Sequence, residues 1–353
     1  MKLTLVVGTR PNMIKAAPLI RQLKERNDKN IEFDLVHTGQ HYHDEMSRIF
    51  FKDLNMPEPD LNLEVGSGSH AGQTAEIMIR FENYCMLRRP NIVIVLGDVN
   101  STLACALSVA KMNNVKLAHV EAGSRTYEKI PEEINRVLTD VISDYLFCLT
   151  ELDRQHLMSE NISPTKCFVV GNVAVDTLIY ELPKTEIQMQ EDHALLTLHR
   201  PSNVDDPNKL EKILRVVGRI AKDIEVVFPV HPRTMNKIKL FGYEKYLKPF
   251  SIYPAVGYLK FIGLLKNAKF LITDSGGLQV DSSFLGVPCL TLALTTGHVE
   301  SLIHGTNILV GTHEDKLLRE VNIILSGEKS YVSVRNKYWD GKVAERILNV
   351  LLN

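Results

Sequence analysis

The residues best able to do chemistry stand just past short apolar runs. Asp98 follows the run Ile92–Leu96 in Gly97-Asp98-Val99-Asn100-Ser101-Thr102. Glu121 lies in His119-Val120-Glu121-Ala122-Gly123, and Glu132 in Pro131-Glu132-Glu133-Ile134-Asn135-Arg136. Each has a simple local use, because Asp caps helices and Pro and Glu favour a helix N-terminus. All three nonetheless fall in loops at the same edge of one expected sheet. Grouped carboxylates raise one another's pKa, which lets one hold a proton near neutrality and suits them to general acid/base work.

A second set suits anions. The first strand runs into Gly8-Thr9-Arg10-Pro11-Asn12-Met13-Ile14-Lys15, which is neither GxGxxG nor a Walker A loop. Arg10 and Lys15 at a helix start could hold phosphate, or the segment is a turn with solvated cations. His199-Arg200 and His231-Pro232-Arg233 each place a His and an Arg just past a strand. Two such histidines suggest a pocket for an anion or a proton relay. Asp274-Ser275-Gly276-Gly277-Leu278-Gln279 links a strand to a helix. Its glycines let backbone approach a ligand closely and the helix amides face it, so a diphosphate is the natural guest.

The elements that must position these groups alternate between apolar strands and amphipathic helices. Strands are expected at Leu3–Val7, Phe33–His37, Ile92–Leu96, Lys116–Val120 and Tyr145–Cys148. Helices are expected over 15–26, 76–87, 102–113 and 135–143. The pattern restarts after a polar linker from Pro183 to Asp192, with strands Ala194–Leu198, Glu225–Pro229, Phe270–Thr273 and Pro288–Leu292 and helices over 210–221, 261–267, 278–285 and 342–352. Such alternation implies parallel sheets covered on both faces, hence two doubly wound α/β domains with a cleft between them. Ligands of such sheets sit outside the carboxyl ends of the strands, where the residues above fall.

Composition narrows the class. Hydrophobic residues are 44% of 353 and charged residues 24%, with a net charge of −1. So neutral a chain has no bulk electrostatic reason to coat nucleic acid or anionic lipid. Gly8 to Pro11 cut the first apolar run too early for a signal peptide, and the other apolar runs are too short to span a bilayer. Five scattered cysteines without CxxC fit a reducing cytoplasm and give no metal motif.

Taken in order along the chain, these segments resemble the non-hydrolysing UDP-N-acetylglucosamine 2-epimerases. The matching segments are Gly8-Thr9-Arg10-Pro11 with Lys15, Gly39-Gln40-His41, Gly97-Asp98, Val120 to Gly123, Pro131 to Arg136, Thr150-Glu151, His199-Arg200, Val230-His231-Pro232, Thr273 to Gly277 and Trp339 to Lys342. The resemblance implies a GT-B-like fold of two Rossmann-like domains, 1–175 and 176–335. A C-terminal helix in 336–353 would pack back near the first domain. It implies a homodimer, a UDP-sugar in the cleft, and neither metal nor nicotinamide. It also implies inversion of UDP-N-acetylglucosamine (UDP-GlcNAc) to UDP-N-acetylmannosamine (UDP-ManNAc) for surface polysaccharides, through loss and re-addition of UDP.

By the same resemblance Asp98, Glu121 and Glu132 are the acid/base carboxylates and His199 assists near the diphosphate. Arg10 and Lys15 balance phosphate charge, and Arg136 and His231 contact substrate. Ser275, Gly276 and Gly277 hold the diphosphate, and Asp281 grips the ribose. The sequence departs from the family at Asn12, where Glu is usual, at Val280-Asp281 for Glu-Glu, and at Gly297-His298-Val299 for Glu-Arg-Pro. Gly72 stands where a regulatory UDP-sugar site draws on Arg. These departures leave open a hydrolysing epimerase, an epimerase of a UDP-diacetamido sugar, a silent nucleotide-sugar binding protein and a GT-B glycosyltransferase.

Overall fold

The computed structural model describes residues 1–40, 44–185, 192–303, 305–334 and 336–353, with side chains of 44–48 not described. His41 and residues 186–191 of the expected linker lie outside the described residues. The chain forms two compact units, Met1–Tyr180 with Asn336–Asn353, and Glu181–Arg335.

In the first unit, β1 (Lys2–Val7), α1 (Arg10–Arg26), β2 (Glu32–His37), α2 (Asp44–Asp53), β3 (Leu61–Asn62), α3 (His70–Arg88) and β4 (Ile92–Leu96) follow in order. After them come α4 (Asn100–Val109), β5 (Lys116–Ala122), α5 (Pro131–Ile142), β6 (Tyr145–Cys148), α6 (Glu151–Ser159), β7 (Cys167–Val169) and α7 (Val173–Glu181). The sheet order is β3-β2-β1-β4-β5-β6-β7, all parallel. Chain order reverses between β1 and β4, which is where ligands bind in open α/β sheets. Every residue of β4 is buried, as a parallel strand with helices on both faces requires. Val6, Val93 and Val95 pack on Ile77 and Phe81 of α3 and Cys105 of α4.

The second unit holds β8 (His193–Thr197), α8 (Pro201–Val204), α9 (Pro207–Ile220), β9 (Glu225–Val230), α10 (Pro232–Leu240), β10 (Ser251–Pro254) and α11 (Tyr258–Lys266). It continues with β11 (Ala268–Thr273), α12 (Gly276–Leu285), β12 (Cys289–Thr291), α13 (Val299–Ile303), β13 (Asn307–Leu309) and α14 (Glu314–Ser326). Its parallel order is β10-β9-β8-β11-β12-β13, with the switch between β8 and β11. Leu196, Phe228, Phe270 and Ile272 form the core with Leu214 and Val217 of α9. The final helix, α15 (Val343–Leu352), belongs to the first unit. Ala344 N donates to Asp176 Oδ2 at 2.8 Å, and Arg346 Nε donates to Val170 O at 2.9 Å.

Several boundaries differ from the sequence expectation. The first helix starts at Arg10, a turn before Lys15, because Pro11 fits a first helical turn whose amides need no intrahelical partner. Likewise α3 starts at His70, where Ser69 caps it by accepting from Gly72 N at 3.1 Å, and α5 starts at Pro131. The sequence pattern does not predict the short strands β3, β7, β10 and β13 or the helices α2, α6, α7, α8, α10, α13 and α14. Among the described residues no helix is long and apolar enough to cross a membrane.

Candidate active site

The carboxyl ends of β4 and β5 build the acidic part. Gly97 follows β4 with φ +65°, and its N–H donates to Val120 O at 3.0 Å. Glu121 has φ +77°, and the pairing of β5 with β6 shifts register between Val120 and Ala122. A bulge of this kind re-aims a side chain, and a left-handed non-glycine residue costs about 1–2 kcal/mol that the surroundings must offset. The Glu121 carboxylate forms a mostly buried ion pair with Lys15 of α1. A Cβ added to Gly97 would stand 2.9 Å from Lys15 Nζ and 3.8 Å from Glu121 Oε2, so the glycine lies directly against the pair.

Asp98 takes a different cation. Its carboxylate pairs with Arg136 of α5, which also holds Glu133 at 2.6 Å. Asn135 Nδ2 donates to Asp98 O at 3.0 Å and to Asn100 Oδ1 at 3.2 Å. Burial alone would lower the Arg136 guanidinium, but the carboxylates of Asp98, Glu133 and Glu121 hold it above its ordinary value. Arg136 therefore stands within the field of Asp98 and Glu121 together. Glu132 does not join them by any described contact. It is exposed in the first turn of α5, whereas Glu133 is buried and accepts from Thr126 N, Thr126 Oγ1 and Tyr127 N.

Arg10 and Asn12 frame the same switch point. Arg10 opens α1 over the Phe50 ring at 5.8 Å, and burial lowers its guanidinium. Among the described residues it has no ion pair. Lys15, expected beside it at phosphate, forms an ion pair with Glu121. Asn12 is buried and accepts from Gly8 N and Thr9 N, both at 3.1 Å, while its Nδ2 donates to Leu96 O at 2.8 Å. A Glu at this position could not make that donation, so Asn12 ties the loop after β1 to the end of β4.

In the second unit Asp274 organises the loops. It is wholly buried and accepts from His199 N at 3.1 Å, Arg200 N at 3.0 Å and Asn203 Nδ2 at 3.3 Å. Burial pushes its carboxyl up, but these bonds and the His199 ring, 3.2 Å away, hold it below the usual range. The His199 and His231 rings lie 5.7 Å apart. His231 also caps α10, its Nδ1 accepting from Arg233 N at 3.2 Å.

Ser275 is the N-cap of α12, and Gly276 and Gly277 open that helix. A Cβ on Gly276 would meet His298 Nε2 at 3.2 Å and Arg200 Nη2 at 3.6 Å, while one on Gly277 would meet nothing within 4 Å. A helix N-terminus, a guanidinium and an imidazole thus surround open backbone, an arrangement that attracts a phosphate or diphosphate. Asp281, one turn on, is buried, and burial raises its carboxyl to about 7 against the opposing effect of His298.

Sequence reasoning reached most of these residues but not their partners. It missed Asp140, which stands 2.7 Å from both His119 and Arg125, and the choice of Glu133 as the buried glutamate, and it took His119 and Asp274 only as parts of motifs. The spacing of Arg136 and Asp140 along α5 offered a weak signal, because i and i+4 share a helix face. Among the described residues no group of three or more His, Cys, Asp or Glu is placed to hold a metal ion.

Comparison with known proteins adds an independent line. The family model described as UDP-N-acetylglucosamine 2-epimerase matches residues 22–352. The UDP-N-acetylglucosamine 2-epimerase of Methanocaldococcus jannaschii is 41% identical over 99% of both chains. Its crystal structure in complex with UDP-GlcNAc and UDP superposes with a TM-score of 0.92 over 100% of this chain and 99% of that one. The UDP-2,3-diacetamido-2,3-dideoxy-D-glucuronate 2-epimerase of Pseudomonas aeruginosa is 35% identical over 99% of both. A lipopolysaccharide outer core galactosyltransferase, 14% identical with a TM-score of 0.55 over 100% of this chain and 99% of that one, shares the GT-B-like α/β fold alone.

Proposed function

Because this chain belongs to the UDP-N-acetylglucosamine 2-epimerase family and is an isomerase, we propose that it inverts C2 of UDP-GlcNAc to give UDP-ManNAc. The observation that carries this reading is the pair of carboxylates at one switch point, Glu121 on Lys15 and Asp98 on Arg136.

The C2 hydrogen of the sugar is not next to a carbonyl, so its removal needs a leaving group on C1. A carboxylate takes the C2 proton, the C–H electrons form the C1=C2 bond, and the C1–O bond to UDP breaks with its electron pair on UDP. The product of this half is 2-acetamidoglucal. A protonated carboxyl then returns a proton to the opposite face of C2, and UDP re-adds at C1. Atoms and electrons balance with no oxidant. The route asks for acid/base groups at the sugar and a firm hold on UDP while it is detached.

Asp98, Glu121 and Glu132 are the acid/base candidates, and Arg136 contacts substrate beside Asp98. Lys15 pairs with the Glu121 carboxylate. Arg200, His199 and His231 meet phosphate oxygens, with Ser275, Gly276 and Gly277 of α12 beneath them, and Arg10 of the first unit balances phosphate charge. Asp281 accepts from the ribose hydroxyls, and His298 stands beside Gly276 where it can replace the family's arginine as phosphate partner.

Incubation with UDP-GlcNAc in D2O tests the proposal. Deuterium at C2 of both sugars and a UDP-ManNAc signal are expected, and substrate still unlabelled after long incubation refutes it. Free UDP rising in step with free ManNAc would identify a hydrolysing enzyme. The likeness to the diacetamido-glucuronate epimerase supports a second reading, and a UDP-2,3-diacetamido uronate turned over with the higher kcat/KM would select it.

A further inference from the structure

We propose that His119 is a positioning residue for the acid/base carboxylates, acting through the backbone of Gly97 and Asp98. The inference rests on the assignment of Asp98 and Glu121 made above. His119 is wholly buried in β5. Its Nε2 donates to Gly97 O at 2.8 Å, and its Nδ1 shares a hydrogen bond with Asp140 Oδ1 at 2.7 Å. A carbonyl can only accept, so Nε2 carries the hydrogen of that bond, and both ring nitrogens are engaged.

The surroundings sustain such a ring. Asp140, also wholly buried, takes Arg125 at 2.7 Å on its second oxygen, and Arg125 forks onto Glu160 at 2.7 and 2.6 Å. Charges alternate along Glu160, Arg125 and Asp140, which is the condition under which buried ions are tolerated, and the His119 ring continues the hydrogen-bonded series. Glu160 brings the series to the surface, its side chain 30% exposed. The other end of the series is the Gly97 carbonyl.

That carbonyl belongs to the peptide plane from which Asp98 departs. The Gly97 N–H is tied to Val120 O, so β5 holds the Gly97 backbone from both sides. Asp140 also accepts from Gly123 N at 3.1 Å, two residues beyond Glu121. One carboxylate thus fixes the strand end that carries Glu121 and, through His119, the turn that carries Asp98. Reacting groups displaced by about 1 Å can lose on the order of 100-fold in rate, so such a clamp has catalytic consequence without touching substrate.

The test compares His119→Asn with His119→Gln. The Gln amide nitrogen reaches roughly as far as Nε2 and keeps the bond to Gly97 O. The Asn amide nitrogen reaches only as far as Nδ1 and leaves Gly97 O without its donor. His119→Asn is expected to lower kcat by at least about tenfold with little change in KM, and His119→Gln to recover most of that loss. In the Asp98→Asn background, His119→Asn should add little further loss, as for residues acting in series. Equal losses in the two variants, full additivity with Asp98→Asn, or parental kcat in His119→Asn would each overturn the inference.

The unaltered protein gives a readout that no folding defect can obscure. With 15N-labelled histidine, one ring should carry a slowly exchanging hydrogen on Nε2. Absence of such a ring overturns the clamp. The two assignments fail separately. Parental turnover in Asp98→Asn removes the carboxylate reading itself, whereas an inactive Asp98→Asn beside a fully active His119→Asn removes only the role given to His119.

Discussion

Gly97→Ala is the sharpest perturbation of the acidic site. The residue has φ +65°, a conformation that costs an L side chain about 1–2 kcal/mol. The new methyl would also stand 2.9 Å from Lys15 Nζ, closer than carbon and nitrogen sit without a shift. Lys15 is the cheaper group to move, because its ammonium ends a flexible chain. Its retreat stretches the pair with Glu121, whose side chains are only 14% and 12% exposed, so water replaces the lost contact poorly.

Gly341→Ala is the matched control in the same unit. Its φ is +78°, but its Cβ would meet only Ile179 at an ordinary 3.7 Å. Both variants should lower the melting temperature of the first unit by about 2–8 °C through the backbone term. Only Gly97→Ala should also lose turnover, on the order of 100-fold, read as deuterium uptake at C2 of UDP-GlcNAc. Parental turnover in Gly97→Ala, or equal turnover losses in the two variants, would refute the idea that the Lys15–Glu121 contact serves the chemistry.

Three further outcomes are expected. The Asp281 carboxyl, raised to about 7 by burial, binds a proton in the folded state that the unfolded chain releases near pH 4, so the second unit should lose stability as pH rises from about 4 to 7. Asp281→Asn should flatten that dependence, which amounts to at most roughly 4 kcal/mol and can be read by urea unfolding across the range. Gly276→Ala fills the space between His298 and Arg200 and should weaken UDP binding about tenfold or more by calorimetry, a loss of about 1.4 kcal/mol. Tyr84→Phe removes the buried hydroxyl that bonds Asp34 Oδ2 at 2.7 Å and Thr4 Oγ1 at 2.9 Å, costing about 1–3 kcal/mol in denaturant unfolding while kcat is unchanged.

Leu3–Val7, Ile92–Leu96 and Phe270–Thr273 could be read as strands because parallel strands covered on both faces are apolar throughout. The loops that follow them inherited their place at the ligand edge from that alternation alone. The two-residue β3 and the three-residue β7 and β13 carry too few side chains to show any period, so their pairing comes from the neighbouring strand. Pro11 marks the start of α1, although the apolar spacing alone predicts a helix only from Lys15.

The sequence by itself determined the parallel architecture, the ordered motifs and the residue types at the strand ends. Only the tertiary structure decided the pairings. Lys15 and Glu121, like Asp98 and Arg136, are far apart in the chain and meet because β1, β4 and β5 end side by side, about 4.8 Å from strand to strand. It also decided that Glu133 turns inward while Glu132 faces solvent, a choice that one helical step of about 100° makes and residue type does not.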